Sequence, residues 1–223
     1  MSEMRLMGVL ATVAVLLQLT ARSQVIPFDN AIPGSMPPGW SVAMTHAGAP
    51  PRWEIVRDES APRSPFVLAQ LSRDATAGRF PLAIWDRGTL RNGDVSVAFK
   101  AVDGSIDRAA GIVWRYQDSN NYYIVRANAL ENNVVLYRVE NGVRLSIAPK
   151  GLPSRSYGVK HEVPNGRWNI LRVLFRDSLF TVFLNGERLF EAEDQTFRQA
   201  GKTGLWTKAD SLTYFAEFTV GKQ

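Results

Sequence analysis

Aromatic, basic and amide side chains alternate along three consecutive stretches in the middle of the chain that have the pattern of β-strands. An aromatic ring can stack on the apolar C–H face of a sugar ring, while guanidinium and amide groups hydrogen-bond to its hydroxyls. We therefore predict a surface that binds a glycan or polysaccharide. Its predicted members are Trp114, Tyr116, Tyr122, Arg126, Asn128 and Arg138.

The faces of these strands are predicted from the period-2 alternation of β-structure. Trp114 and Tyr116 then share one face of the first strand. Tyr122, Arg126 and Asn128 share one face of the second. The opposite parity is more uniformly apolar, which favours it for the core and places the Trp114 face outward. The alternative is that Trp114 and Tyr116 belong to the core and that Arg126 forms a salt bridge.

Acidic residues with the spacing of a glycosidase pair occur in one run. A retaining glycosidase needs two carboxylates on one face, which alternate positions of a strand supply. Glu191, Glu193 and Asp194 follow a hairpin strand and enter a turn, which favours a solvated charge cluster. Neither Gly34-Ser35 nor Gly104-Ser105 fits the Gly-x-Ser-x-Gly elbow of serine hydrolases. The sequence thus favours binding over catalysis.

Composition excludes several other kinds of site. The chain has no cysteine, which rules out disulfides, thiolate zinc sites and a cysteine nucleophile. Its two histidines, His46 and His161, lack metal-binding spacing. The net charge of +5 comes from scattered lysines and arginines, without the basic stripe of a nucleic-acid-binding protein.

The N-terminal segment has the features of a secretory signal peptide. Arg5 precedes an apolar run over 6–19, and Ala21 and Ser23 are the small residues required for cleavage before Gln24. The run is shorter than the about 20 residues that cross a bilayer. We predict a signal peptide over 1–23, a domain over 24–223, a secreted or periplasmic location and no membrane attachment after cleavage. An uncleaved N-terminal anchor is the alternative.

The rest of the chain has the loops, short strands and turns typical of an all-β protein. Residues 27–65 are rich in proline and glycine, which favours extended loops. Short strand-like segments follow from Phe66, with hairpin turns at Asn141-Gly142 and Asn185-Gly186. We predict a two-layer sandwich or a barrel, with one helical turn at Glu193–Arg198.

Five short blocks occur in a characteristic order. They are residues 110–116 (AGIVWRY), 121–123 (NYY), 168–173 (WNILRV), 182–187 (VFLNGE) and 201–207 (GKTGLWT). In this order they resemble the concanavalin A-like lectin/glucanase superfamily, in particular the glucanase-like domain of the 3-keto-disaccharide hydrolase family and its non-catalytic relatives. The resemblance implies an all-β jelly-roll sandwich of two antiparallel sheets, with ligands on the concave sheet.

Two departures from that family concern chemistry. Its members carry acidic and amide residues in the strand that matches 122–128, whereas this chain begins that strand Tyr-Tyr-Ile-Val-Arg. Relatives end in a Phe-Asp-Asp-Phe-like strand, whereas residues 215–218 are Phe-Ala-Glu-Phe. In a jelly roll the terminal strands pair, so Asp29 and Glu217 are candidate ligands for a structural calcium ion, the one cofactor that we consider.

Three functions follow in order of preference. The first is an exported, lectin-like module that binds a glycan on the concave sheet without cleaving it. The second is a diverged glycoside hydrolase or lyase acting on a (3-keto) disaccharide, as the resemblance implies. The third is a structural or adhesion domain that meets another extracellular protein.

Overall fold

The computed structural model describes residues 23–29 and 31–223. These residues form sixteen β-strands and no helix, so no helix among them could cross a membrane. The predicted signal peptide lies outside the described residues, apart from Ser23. The strands are β1 Ser23–Ile26, β2 Trp40–Thr45, β3 Trp53–Arg57, β4 Phe66–Gln70, β5 Phe80–Leu90, β6 Gly93–Asp103, β7 Ala109–Asp118, β8 Asn121–Asn128, β9 Asn133–Glu140, β10 Val143–Ile147, β11 Val159–Lys160, β12 Trp168–Arg176, β13 Leu179–Leu184, β14 Glu187–Glu193, β15 Gly201–Trp206 and β16 Leu212–Lys222.

The strands form two antiparallel sheets that pack face to face. The first sheet has the order β14-β13-β12-β6-β16-β4-β3, with β1 also paired to β16. The second has the order β10-β9-β8-β7-β15-β5-β2, with β11 also paired to β9. The all-β, two-sheet jelly-roll prediction is confirmed.

The core between the sheets is built from alternate residues of the facing strands. Val97 and Phe99 on β6 point inward from the first sheet, and Ile112 and Trp114 on β7 point inward from the second. This is the alternation expected when one face of each sheet is buried against the other. Burial of these apolar side chains is the main stabilising term, at about 25 cal/mol per Å² removed from water.

Hairpin turns lie where the sequence predicts them. Asn141 and Gly142 have φ of 50° and 80°, and Asn185 and Gly186 have φ of 51° and 85°. Positive φ at both central residues is the type I′ geometry that matches the twist of the flanking strands. These turns fix the β9–β10 and β13–β14 registers.

The helical turn predicted at Glu193–Arg198 is wrong. β14 continues to Glu193, and residues 194–200 are irregular. The Asp194 carboxylate accepts hydrogen bonds from the Tyr123 hydroxyl at 2.6 Å, the Arg138 guanidinium at 2.8 Å and the Thr196 N–H at 2.8 Å. These bonds to strands on the opposite sheet, together with the Asx-type turn, hold the segment in a non-helical path.

A bulge interrupts β7 close to its end. The φ of Arg115 is 47°, and the β7–β8 register shifts between Trp114 and Asp118. The extra residue changes the parity of the strand. Trp114 therefore faces the core, while Tyr116, two residues later, packs against the outer face of the second sheet.

Candidate functional site

The outer face of the second sheet is concave. Arg144 on β10 and Phe80 on β5 are five strands apart, which is about 24 Å in a flat sheet. Yet the guanidinium carbon lies 4.9 Å from the phenyl centroid. The hydroxyls of Tyr122 on β8 and Thr45 on β2, four strands apart, are 2.7 Å from each other. Side chains alone cannot span such gaps, so the sheet must curl toward this face.

The middle of the concave face is filled by its own side chains. Phe80, Tyr122, Tyr137 and Trp206 are buried there. The Arg144 guanidinium lies over three of these rings, at 4.9 Å from Phe80, 4.6 Å from Tyr137 and 5.9 Å from Trp206. Burial raises the pKa of both tyrosine hydroxyls, which therefore stay neutral. This part of the face is a second core, closed to a ligand in this conformation.

One end of the concave face instead carries a polar network around the buried guanidinium of Arg126. Its Nη2 donates to the Glu131 carboxylate at 3.0 Å and to the Asn133 amide oxygen at 3.1 Å. Its Nη1 lies 3.9 Å from the Asp107 carboxylate. Its Nε is buried with no hydrogen-bond partner among the described residues. We call the set the Arg126 cluster; its members are Asp107, Arg126, Asn128, Glu131, Asn133, Tyr157 and Lys208.

Asp107 is the second centre of the cluster. Its carboxylate accepts hydrogen bonds from the Asn128 amide and the Lys208 ammonium, both at 2.6 Å. Its side chain is 1% exposed. A buried carboxylate is tolerated when cations and donors surround it, as they do here. Asp107 therefore holds the cluster together and has little capacity left for a ligand.

Three members of the cluster face solvent. The side chain of Glu131 is 41% exposed, that of Lys208 is 17% exposed, and Tyr157 is 48% exposed. Both bonds from the protein to Glu131 reach Oε2, which leaves Oε1 open. The Tyr157 hydroxyl is 2.5 Å from that of Tyr137, and this contact anchors an exposed ring. A carboxylate, an ammonium and an aromatic ring are thus exposed around the buried Arg126 and Asp107.

Electrostatics keep Glu131 and Arg126 charged. Burial alone would raise the pKa of Glu131, but the hydrogen bond from Arg126 and its positive charge outweigh burial, so the pKa lies below 4.5. Burial alone would lower the pKa of Arg126, but the nearby Tyr137, Glu131 and Asp107 outweigh burial and raise the pKa above its ordinary value. Both groups are ionised at neutral pH.

The predicted ligand residues divide between the two faces of the second sheet. Tyr116, Tyr122, Arg126 and Asn128 lie on the concave side, of which Arg126 and Asn128 belong to the cluster and Tyr122 is buried in the second core. The outward placement of Trp114 is wrong, because β7 pairs it with Tyr123 and turns it into the core. A binding role for the concave-side residues stays a prediction.

The placement of Arg138 with Tyr122 is also wrong. Arg138 pairs with Tyr123 in the β8–β9 register, so its side chain points to the other face. There it forms an ion pair with Asp194 at 2.8 Å. Arg138 thus links β9 to the segment after β14 and lies outside the Arg126 cluster.

Five members of the cluster were not predicted as site residues from the sequence: Asp107, Glu131, Asn133, Tyr157 and Lys208. Asn128 and Asn133 are a terminal pair of the β8–β9 hairpin, with Glu131 in its turn. A group of three polar residues at the end of a hairpin could have drawn attention to this turn. Nothing local connects Asp107, Tyr157 and Lys208 to it, because they come from three separate loops.

Asp29 and Glu217, the predicted calcium ligands, line one cleft beside the β1–β16 pair. Arg63 lines the same cleft, and its positive charge opposes a cation. Calcium takes about six to eight oxygen ligands. Among residues 23–29 and 31–223 no group of three or more acidic, histidine or cysteine side chains is placed to hold a metal ion. These two carboxylates do not make a calcium site by themselves.

Comparison with known proteins identifies the fold. No family model and no curated protein sequence matches the chain. Solved structures do match: the carbohydrate binding module CBM66 from Bacillus subtilis superposes with a TM-score of 0.60, over 81% of this chain and 94% of that one, at 16% sequence identity. A β-glucanase from Bacillus licheniformis superposes with a TM-score of 0.50, over 92% of this chain and 99% of that one, at 13% identity.

The chain has the concanavalin A-like jelly-roll fold. The jelly-roll fold that the sequence blocks imply is thereby confirmed. One of these two proteins is named for binding carbohydrate and the other for an activity on a glucan, so the shared fold does not fix the function of this chain.

Proposed function

We propose that this jelly roll is an exported, non-catalytic carbohydrate-binding module that holds a sugar at the Arg126 cluster. The observation that carries the proposal is the group of exposed side chains, Glu131, Lys208 and Tyr157, held around the buried Arg126 and Asp107 at the end of the concave face. The signal peptide predicted over 1–23 supports the proposal of export to the periplasm or the medium.

The chemistry of these exposed groups suits a saccharide. The ring of Tyr157 offers an apolar surface for the C–H face of a sugar. The open Oε1 of Glu131 accepts from hydroxyls, and the remaining N–H groups of Lys208 donate to them. The buried Arg126 and Asp107 fix these groups in place, which lowers the entropy lost on binding.

The same cluster fits acid–base catalysis poorly. A glycosidase acid needs a carboxyl whose pKa is raised, whereas the pKa of Glu131 is lowered by Arg126. Asp107, the other carboxylate of the cluster, is buried and bound to Lys208 and Asn128. In the acidic run that the sequence offered, Asp194 is tied to Arg138, Glu193 to Lys150 and Glu191 to Arg188. These arrangements favour binding, and contact with another extracellular protein stays a prediction.

Calorimetry and NMR titration with a panel of neutral hexose and pentose mono- and oligosaccharides test the proposal. We expect at least one member to bind with a dissociation constant in the micromolar to millimolar range. Tyr157→Ala is expected to weaken that binding about tenfold, which corresponds to about 1.4 kcal/mol. Tyr157→Phe keeps the ring and should retain most of the affinity.

Leu152→Ala is the matched control for Tyr157→Ala. Leu152 lies in the same loop and is 49% exposed, close to the 48% of Tyr157. The Leu152→Ala variant should bind the sugar as tightly as the unmodified protein does. If no sugar binds at about 10 mM, or if both variants bind equally, the Arg126 cluster is not a carbohydrate site.

The pH dependence of sugar binding gives a separate prediction. Glu131 must be ionised to accept from hydroxyls through both lone pairs, and its pKa is below 4.5. Affinity should therefore be constant from pH 7 to pH 5 and fall only below about pH 4.5. Glu131→Gln should weaken sugar binding at pH 7 and should abolish the fall in affinity at low pH. Titrations at several pH values would contradict the assignment if the variant kept the same profile.

A further inference from the structure

A second cleft opens at the opposite end of the sandwich from the Arg126 cluster. It has a volume of about 280 Å³. Its walls come from the β5–β6 turn, the bulge of β7, the β12–β13 turn and the segment between β14 and β15. An adjoining cleft of about 410 Å³ shares Gln195 and Arg198 with it. We call the first one the arginine cleft; its lining residues are Arg91, Arg115, Asp177, Ser178, Gln195 and Arg198.

Arg115 is fixed rigidly at the base of this cleft. Its backbone has a φ of 47°, and a side chain at Gly201 would meet the Arg115 backbone at 2.4 Å. Its guanidinium donates to the carbonyls of Arg91 at 2.9 Å, Phe197 at 2.7 Å and Asp177 at 2.6 Å. Residues held in sparsely populated backbone regions accumulate at functional sites.

Aromatic rings pack against the same guanidinium. Its central carbon lies 6.0 Å from the ring centroid of Tyr123, 5.9 Å from that of Phe175 and 5.7 Å from that of Phe180. These rings hold the plane of Arg115 in one orientation. With the three carbonyls they leave the side chain 1% exposed.

The charge of the arginine cleft is not balanced by the protein. Among the described residues no carboxylate lies within 4.0 Å of the Arg115 guanidinium, and the carbonyls use three of its five N–H groups. Asp177, the one acidic residue of the lining, lies 3.7 Å from Arg91. Arg198 is hydrogen-bonded to the Gln195 amide oxygen. Three arginines against one aspartate give the lining a net charge of +2.

A buried guanidinium without a counter-ion is an unfavourable arrangement. Desolvation lowers the pKa of Arg115, which means that the surroundings disfavour its charge. An anion that enters the cleft would relieve this penalty, and the low local dielectric would strengthen the attraction.

We propose that the arginine cleft binds an oxyanion, a carboxylate or sulfate group carried by a small acidic ligand such as a uronic acid or a sulfated sugar. Guanidinium groups recognise the oxygens of carboxylate and sulfate through charge-assisted, often bidentate hydrogen bonds. Ser178 and Gln195 add neutral donors at the rim. This site does not rest on the Arg126 cluster, because the two lie at opposite ends of β7.

The experiment is a titration of the purified protein with sodium sulfate, with glucuronate and with neutral glucose at low ionic strength. Sulfate or glucuronate should bind with a millimolar or lower dissociation constant, and glucose should not bind at this cleft. The double variant Arg91→Gln with Arg198→Gln should bind the anion at least tenfold more weakly and should still fold. Both arginines are on the surface of the cleft, and Arg91 is 66% exposed. Raising the salt concentration should weaken binding as well.

Arg52→Gln with Arg57→Gln is the matched control. It removes the same formal charge from side chains that are 65% and 60% exposed, one just before β3 and one at its end, outside the cleft lining. The control should keep its affinity for the anion, and Tyr157→Ala should keep it too. Whichever of sulfate and glucuronate binds with the lower dissociation constant then identifies the anionic group that the cleft prefers. No anion binding at low salt, or equal weakening in both double variants, would overturn the proposal.

Discussion

Replacing Trp114 by alanine is expected to lower the free energy of unfolding by about 4 kcal/mol. Its ring is fully buried between the sheets. It stacks at 5.5 Å on Tyr123 and 5.8 Å on Phe175, and meets Phe180 edge-on at 5.3 Å. Removal of the indole loses these contacts and leaves a cavity that close-packed neighbours fill only in part.

Chemical denaturation monitored by circular dichroism measures this effect. Trp114→Phe is the informative companion, since the indole N–H is buried without a partner among the described residues and phenylalanine removes that unsatisfied donor. Trp114→Phe should lower the free energy of unfolding by clearly less than Trp114→Ala does. A folded Trp114→Ala protein should still bind sugar at the Arg126 cluster. Lost binding with less than about 1 kcal/mol of destabilisation would instead support the ligand role that the sequence suggested.

The error over Trp114 has a definite physical cause. Alternation within a strand predicts which residues share a face, but it does not relate the faces of two strands. That relation depends on register, and a slip of one residue exchanges all the faces. The pairs Trp114–Tyr123 and Tyr123–Arg138 decide the matter here, and they place Trp114 and Arg138 on the core side. The bulge at Arg115 then separates Tyr116 from Trp114.

The fold itself was predictable because its signals are local. Strand-like segments were expected from Phe66 onward, and in one of them, β6, the alternating residues Val95, Val97, Phe99 and Ala101 are all buried. The Asn-Gly pairs predicted two hairpins whose positive φ values are present. These local signals left a sandwich and a barrel open. The five sequence blocks that resemble the concanavalin A-like superfamily then favoured the sandwich.

The candidate site was only half predictable because loops complete it. Arg126 and Asn128 lie on a strand, and their shared face follows from spacing. Tyr157 and Lys208 come from loops whose paths depend on long-range packing, which no local pattern encodes. The curl of the sheet had a similar effect, because it buried Tyr122 against Thr45 of β2 and left the Arg126 cluster at one end of the face.

Asp210→Asn is expected to remove about 2 kcal/mol of stability at neutral pH. The Asp210 carboxylate accepts hydrogen bonds from the backbone N–H groups of Ser105 at 2.7 Å, Ile106 at 3.1 Å and Asp107 at 3.0 Å. Burial alone would raise its pKa, but these bonds outweigh burial and lower the pKa from 3.8 to about 2. The carboxylate is therefore more stable in the folded protein than in the unfolded chain.

The sign of the pH dependence follows from that shift. A group whose pKa is depressed by folding contributes its stability above the unfolded value of 3.8 and loses it as the pH falls toward 2. The difference in unfolding free energy between the unmodified protein and Asp210→Asn should thus be constant from pH 7 to pH 5 and shrink below about pH 4. Denaturant unfolding at each pH measures it. Asp177→Asn, with a side chain that is 69% exposed, should stay within about 0.5 kcal/mol of the unmodified protein throughout.

This carboxylate also connects stability to the proposed sugar site. The three N–H groups that it binds belong to the loop that carries Asp107, and Asp107 in turn holds Asn128 and Lys208. Asp210→Asn should therefore weaken sugar binding a few-fold even where the protein is fully folded, through a less ordered Arg126 cluster. Calorimetry well below the unfolding midpoint separates this effect from lost folding. A variant that is destabilised but binds the sugar at full strength would mean that the loop does not position the site.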